Sequence, residues 1–144
     1  MTFEDRLSHW FRGHADAVHF AMTVWEVAQS WDDLKDTGSS DQIENALSWL
    51  AFGKEYNPFF AQNAGILRPA LLQMYLQWQA ANSLERGSDA DVEKAWMLRA
   101  GYYGVLHTIA WMIGGDGWAR RVGPDIYRTY GETLADFKKE MADA

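Results

Sequence analysis

Two aspartates at helical spacing are the first residues of this chain that could do chemistry. Asp32 and Asp36 lie four positions apart in the stretch 31–36, WDDLKD. On a helix such a pair lies one above the other and could share an ion, whereas Asp33 is rotated off that line. Mg²⁺ prefers carboxylate oxygens and keeps several waters, so two aspartates and a substrate phosphate would form a sufficient site. The spacing therefore makes Asp32 and Asp36 candidate magnesium ligands.

The position of these acids leaves two interpretations open. The predicted helix ends at Thr37-Gly38, and carboxylates at a helix carboxyl terminus meet the negative end of the helix dipole. That misfit favours a function for Asp32 and Asp36. The alternative is a solvated helix end whose acids keep the surface soluble, or a contact with another protein.

Four further side chains could form a pocket for an anion. Arg99, Tyr103 and His107 follow one another at four-residue steps in an apolar helical pattern. An arginine, a phenol and an imidazole on one helix face could bind an anion or transfer a proton. The alternative is a hydrogen-bonded core histidine among packed aromatic rings. Arg120 follows the glycine-rich stretch GGDGWA at a possible helix start, where it could help to hold an anion.

The letters of the aspartate stretch resemble a motif of the trans-isoprenoid synthases. In those enzymes D-D-x-x-D at a helix end holds Mg²⁺ against a diphosphate. That family is all-α but much larger than this chain of 144 residues, and it needs a second acidic motif on a facing helix. The nearest candidate here, SDADVE at 88–93, is typical of a helix cap.

Composition excludes several classes of function. The formal net charge of -7 and the pI near 4.9 argue against nonspecific nucleic-acid binding, which depends on Lys and Arg. The chain has no cysteine, which rules out disulfides and thiolate metal sites. Its first residues lack the apolar run of a signal peptide, and its most apolar stretch, 100–115, is shorter than the roughly 20 residues of a membrane span. We expect no membrane association and no cofactor other than Mg²⁺.

Helical spacing recurs along the whole chain, which predicts an all-α fold. No linker or internal repeat divides it, so we expect one compact domain over 1–144, an orthogonal or bundle-like assembly of five to six helices. The turn signal at Asn57-Pro58 predicts a loop or short helical turn there. The predicted helices cover about 3–12, 14–36, 41–53, 67–85, 88–113 and 125–140.

The apolar pattern also predicts which helix faces are buried. In the second helix, Phe20, Val24 and Trp31 belong to one apolar stripe, which should pack on the core. In the helix predicted from 67, the packed side is expected to comprise Leu72, Tyr75, Leu76, Trp78 and Gln79.

Four segments together resemble small proteins of tailed bacteriophages and prophages. They are VWEVAQSWDDLKDTG, YNPFF, LQWQAANSLE and RAGYYGVLHTIAWMIGGDGWAR, and they span most of 24–121. The resemblance implies an accessory protein of the bacterial host cytoplasm or of the virion, and it implies no reaction.

These observations favour a noncatalytic protein that binds another protein or itself. Eight tryptophans are more than one core of this size usually needs, and tryptophan is enriched at interfaces. A homodimer through helix faces is a natural outcome, as is modulation of a host factor or a role in virion assembly. The alternative is a Mg²⁺-dependent enzyme or binder of a phosphorylated small molecule, with Asp32 and Asp36 as ligands and Arg99 or Arg120 neutralising the anion.

Overall fold

Helices form all the regular structure in the part of the chain that the computed structural model describes. That part comprises residues 1–37 and 57–143, with the backbone alone for 33–37. The predicted all-α class is confirmed. The predicted helix over 41–53 lies outside the described residues. The helices are α1 (Phe3–Trp10), α2 (Ala15–Thr37), α3 (Pro58–Leu84), α4 (Asp89–Leu98), α5 (Gly101–Arg128) and α6 (Leu134–Ala142).

Side-chain caps fix where several helices begin. At α1, the Thr2 hydroxyl accepts the backbone N–H of Asp5 while the Asp5 carboxylate accepts the N–H of Thr2. Ser88 and Asp91 form the same reciprocal pair at α4, as the sequence predicts. Between α1 and α2, Arg12 and Gly13 have positive φ values of 53° and 77°, which break the helix where Gly13 predicts a break.

Helix α3 begins nine residues before its predicted start at 67. The Asn57 side chain accepts the backbone N–H of Phe60 at 2.9 Å, and Pro58 occupies the first helical turn. The sequence Asn57-Pro58, interpreted as a turn, is therefore a helix start, which suits proline because the first turn needs no N–H donor. A kink at Asn63, with φ -123° and ψ 19°, separates this first segment from the rest of α3.

The helix predicted over 88–113 is two helices, and the prediction is wrong at Arg99 and Ala100. Helix α4 ends at Leu98 and α5 begins at Gly101. A Cβ atom at Gly101 would lie 2.8 Å from the Gln77 side chain and 3.5 Å from the Cα atom of Met74. Glycine at position 101 thus lets the start of α5 lie directly against α3.

The stretch GGDGWARRVGP, predicted as a loop, is helical. The backbone bends sharply at Gly115, with φ 84° and ψ -175°, and α5 then continues to Arg128. The last helix consequently starts at Leu134, after the Thr133 hydroxyl accepts the N–H of Asp136, and not at Asp125 as predicted. Gly115 therefore bends this helical stretch without ending it.

Helix α3 lies at the centre of the assembly, against α2, α4 and α5. The apolar stripe of α2 packs inward as predicted, with Phe20, Val24 and Trp31 buried. A smaller cluster around buried Phe137 joins α6 to the ends of α3 and α4. No helix of the described residues is both long and apolar enough to cross a membrane.

Only two of the five residues predicted for the packed side of α3 are buried. Tyr75 and Trp78 are buried, but Leu72 and Leu76 are 49% and 46% exposed, and Gln79 is exposed. Apolar residues occupy more of the circumference of α3 than its neighbours cover. The sequence pattern therefore could not tell its core face from its outer face.

Candidate functional site

A cavity of about 310 Å³ lies where α2, α3, α4 and α5 meet the segment after α5. We call it the aromatic cavity. Its volume is at the lower end of the roughly 300–1,000 Å³ of small-molecule sites in proteins. The described residues that line it are Trp25, Ala28, Gln29, Trp31, Asp32, Met74, Trp78, Leu98, Arg99, Gly101, Tyr102, Tyr103, Tyr130, Gly131 and Glu132.

A continuous series of rings forms one wall of the aromatic cavity. Trp25 contacts Tyr102 with ring centroids 5.2 Å apart, and Tyr102 meets Tyr103 edge to face at 5.6 Å. Tyr103 then stacks on Tyr130 at 5.5 Å with the ring planes 13° apart. The Tyr102 hydroxyl donates to the carbonyl oxygen of Ala21 at 2.8 Å, which holds α5 against α2. Such offset and edge contacts fix the rings in one arrangement.

A second group of rings comes from α2 and α3. Trp31 is 1% exposed and contacts Trp78 at 5.6 Å and Tyr75 at 5.5 Å. The Trp78 indole N–H donates to Asp32 Oδ1 at 2.9 Å. By contrast, Trp31 Nε1 is buried without a hydrogen-bond partner in the described part of the chain. Within the described residues, Trp31 is therefore held by its packing contacts and not by a hydrogen bond of its indole N–H.

Arg99 ties the ends of three helices together beside this cavity. Its guanidinium donates to Asp32 at 3.4 Å, to Asn82 at 3.1 Å and to Glu85 in the shortest of these contacts. The side chains of Arg99 and Glu85 are only 16% and 8% exposed. Burial lowers the pKa of Arg99, but the hydrogen bond and charge of Glu85, reinforced by Asp32, raise it above its ordinary value. Arg99 is thus a permanent cation already matched by protein carboxylates.

Asp32 serves as a bridge between helices. One oxygen, Oδ1, faces both the Trp78 indole N–H and Arg99, so the basic residue that faces Asp32 comes from the end of α4. The side chain of Asp36, its predicted partner, lies outside the described residues. Among those that are described, no three His, Cys, Asp or Glu side chains converge in a way that could hold a metal ion.

Glu132 supplies a second carboxylate to the wall of the aromatic cavity. Burial is the largest cause that raises the pKa of Glu132, followed by the hydrogen bond and the charge of Glu140. Arg99 acts to lower this pKa, and Asp136 makes a smaller contribution that raises it. None of the ion pairs formed between described residues includes Glu132. Glu132 is therefore the one acid of the described cavity wall that forms no ion pair with a described residue, since Asp32 pairs with Arg99.

Replacing Glu132 by glutamine is expected to stabilise the fold at neutral pH. A raised pKa means that the folded state holds the proton more tightly than the unfolded state. The stability that this tighter proton binding gives the fold is present below pH 4.5, the ordinary pKa of a glutamate, and is lost as the pH rises through the raised pKa. Urea unfolding at neutral pH and below pH 4.5 should show a gain for Glu132→Gln only at neutral pH. A variant less stable than wild type at neutral pH would contradict this assignment.

The four predicted pocket residues occupy two separate places. Arg99 and Tyr103 line the aromatic cavity, whereas His107 and Arg120 line a groove of about 570 Å³ at the bend of α5. The break before Gly101 removes Arg99 from the helix that carries Tyr103 and His107. Burial raises the pKa of the Tyr103 phenol, which keeps it neutral near neutral pH. Arg99 and Tyr103 therefore act as parts of a packed wall and do not form one site with the other two.

His107 joins the two arms of α5 across its bend. His107 Nε2 lies 3.0 Å from the carbonyl oxygen of Ala119, so this nitrogen is the donor, and Nδ1 lies 3.4 Å from the Tyr127 hydroxyl. A Cβ atom at Gly123 would lie 2.8 Å from His107 Nε2, so glycine makes room for the ring. Arg120 pairs with Asp116 at 2.8 Å with both side chains nearly 80% exposed, and it lies inside α5 and not at a helix start.

Sequence reasoning missed Tyr130 and Glu132, because it placed both inside a helix over 125–140. They lie instead in the segment between α5 and α6, which returns toward α4. Trp96 Nε1 donates to the Glu132 carbonyl oxygen at 2.9 Å, and the Trp96 ring stacks on Tyr130 at 5.5 Å. The one available signal was Thr133, a helix-capping residue type three positions before Asp136.

Comparison of this chain with models of known protein families, with curated proteins and with solved structures finds no match.

Proposed function

We propose that this chain acts without catalysis, by binding a protein surface through the outer face of α3, and that its first partner is a second copy of itself. We define the α3 face by its exposed residues. They are Ala61, Gln62, Gly65, Ile66, Arg68, Pro69, Leu72, Gln73, Leu76, Gln79, Ala80 and Ser83.

The observation that carries this proposal is the lack of charge on the α3 face. Across Pro58–Leu84, all of which the structure describes, Arg68 is the only charged side chain. Three large apolar residues are nonetheless about half exposed: Ile66 at 46%, Leu72 at 49% and Leu76 at 46%. The centres of protein interfaces are depleted in charge and enriched in apolar surface in this way.

Charge also favours this face over the acidic rest of the surface for contact with a second copy. Two chains that each carry a formal charge of -7 repel one another, and that repulsion is least where the approaching surfaces hold few acids. Small residues along the face, including Gly65 and Ala80, allow two α3 helices to approach closely. Pairing the same face of two copies gives a closed twofold dimer, the commonest arrangement of soluble oligomers.

Light scattering over a range of concentrations tests this proposal. We expect the mass of the wild-type chain to rise from 16.4 kDa toward about twice that value as concentration increases. The double variant Leu72→Glu/Leu76→Glu places two carboxylates of each copy in the contact and should stay at the mass of one chain. Met97→Glu is the matched control, because Met97 is 67% exposed on α4 and lies outside the α3 face.

Two results would contradict the proposal. One is a wild-type chain that stays monomeric at every concentration. The other is a dimer that persists in Leu72→Glu/Leu76→Glu and is lost in the Met97→Glu control.

The resemblance to phage proteins supports a setting for this binding. We propose that the dimer works in the bacterial host cytoplasm or in the virion, where it modulates a host factor or takes part in assembly. The alternative magnesium function stays a prediction. The contacts of Asp32 with Trp78 and Arg99 account for its position without a metal ion.

A further inference from the structure

The charges of the described residues that line the aromatic cavity do not balance. Among them, Asp32 and Glu132 carry negative charge and Arg99 carries the only positive charge. Two carboxylates against one cation leave an excess of negative charge in this part of the wall. Arg99 already donates to Asp32, Asn82 and Glu85, and no ion pair between described residues includes Glu132.

The rest of the wall suits a cation with an apolar surface. The rings of Trp25, Tyr102, Tyr103 and Tyr130 follow one another in this wall, and those of Trp31 and Trp78 contact each other in it. The faces of tryptophan and tyrosine attract cations, most strongly where water is excluded. A small inorganic cation would instead need several oxygen ligands, and an anion would be repelled by Asp32 and Glu132.

We propose that the aromatic cavity binds a small organic cation with an apolar head, of the quaternary ammonium class. The methyl groups of such a head lie against the rings while its charge is balanced by Glu132 and Asp32. The cavity volume of about 310 Å³ accepts the whole of a small molecule of this kind. This binding is independent of the α3 face, because none of the cavity residues belongs to that face.

Calorimetric titration with choline, paired with tryptophan fluorescence, tests this proposal. The comparison ligand is the uncharged isostere of choline, in which carbon replaces the ammonium nitrogen, because it has the same shape without the charge. We expect choline to bind about tenfold more tightly than its isostere. Glu132→Gln should weaken choline binding several-fold and leave the binding of the isostere unchanged.

Glu26→Gln is the matched control variant. Glu26 is an exposed residue of α2 that does not line the cavity, and its replacement changes the net charge of the chain by the same amount. Choline affinity in Glu26→Gln should equal that of wild type. The proposal is overturned if choline and its isostere bind equally, if neither binds, or if Glu26→Gln and Glu132→Gln have the same effect. None of these outcomes depends on whether the chain dimerises.

Discussion

Replacing Arg99 by methionine is expected to lower the free energy of unfolding by about 3–5 kcal/mol, the range measured when one partner of a buried ion pair is removed. Arg99 is 16% exposed and its partner Glu85 is 8% exposed, so water cannot replace the lost guanidinium. The variant removes the guanidinium that the buried Glu85 carboxylate faces, and it also removes a donor from Asp32 and Asn82. Equilibrium unfolding in urea gives the difference directly.

A matched control separates this effect from the loss of any arginine. Arg120 pairs with Asp116 on the surface of α5, and both side chains are nearly 80% exposed. Arg120→Met should therefore change the free energy of unfolding by less than about 1 kcal/mol. Adding Glu85→Gln to Arg99→Met should restore part of the lost stability, because it removes a buried negative charge that no longer faces the guanidinium. Equal losses in Arg99→Met and Arg120→Met would show that Arg99 does not join the helices.

Replacing Trp31 by alanine is expected to lower the free energy of unfolding by about 3–5 kcal/mol, as for other large aromatic residues in protein cores. Trp31 is 1% exposed and packs against Tyr75 and Trp78, so its removal leaves a void that extends the aromatic cavity. Thermal and urea unfolding of Trp31→Ala provide the measurement.

Two comparison variants make the Trp31 prediction specific. Trp111 is 48% exposed on α5, so Trp111→Ala should cost about 1 kcal/mol or less. Trp31→Phe should lower the free energy of unfolding by less than Trp78→Phe does. The reason is that Trp78 Nε1 donates to Asp32, whereas Trp31 Nε1 has no hydrogen-bond partner among the described residues. The reverse order for the two phenylalanine variants would contradict the geometry of the cavity wall.

The first two helices could be predicted from the sequence because local signals settle them. The cap at Thr2, the break at Gly13 and the apolar stripe of α2 each depend on neighbouring residues. Helix α3 could not be predicted to the same extent. Its start at Asn57-Pro58 has the residues of a turn, and its apolar residues surround most of the helix. The positions of α2, α4 and α5 decide which leucines of α3 are covered. These positions depend on tertiary packing and not on the local sequence of α3.

The candidate site was predicted only in part. Asp32 and Arg99 were both named as candidate site residues, and the structure brings them together, but across a helix break that the sequence reasoning missed. The signal for that break was Gly101, whose missing side chain lets α5 approach α3. Tyr130 and Glu132 could not be placed in the site, because the segment that carries them returns to the cavity through contacts with Trp96.

The aromatic cavity and the α3 face use different parts of the same central helix. Met74 and Trp78 of α3 line the cavity, while Leu72 and Leu76 lie on the uncovered side. A ligand in the cavity and a second copy on the α3 face could therefore be held at the same time.

Cysteine cross-linking tests the central claim, self-association through the α3 face, most directly. The chain has no cysteine, so Leu72→Cys and Leu76→Cys each introduce a single thiol. In a twofold dimer through this face, we expect at least one of them to form a disulfide-linked dimer under mild oxidation. Met97→Cys, exposed on α4, should remain a single chain under the same conditions. Cross-linking of Met97→Cys as readily as the α3 variants, or of neither α3 variant, would contradict the account.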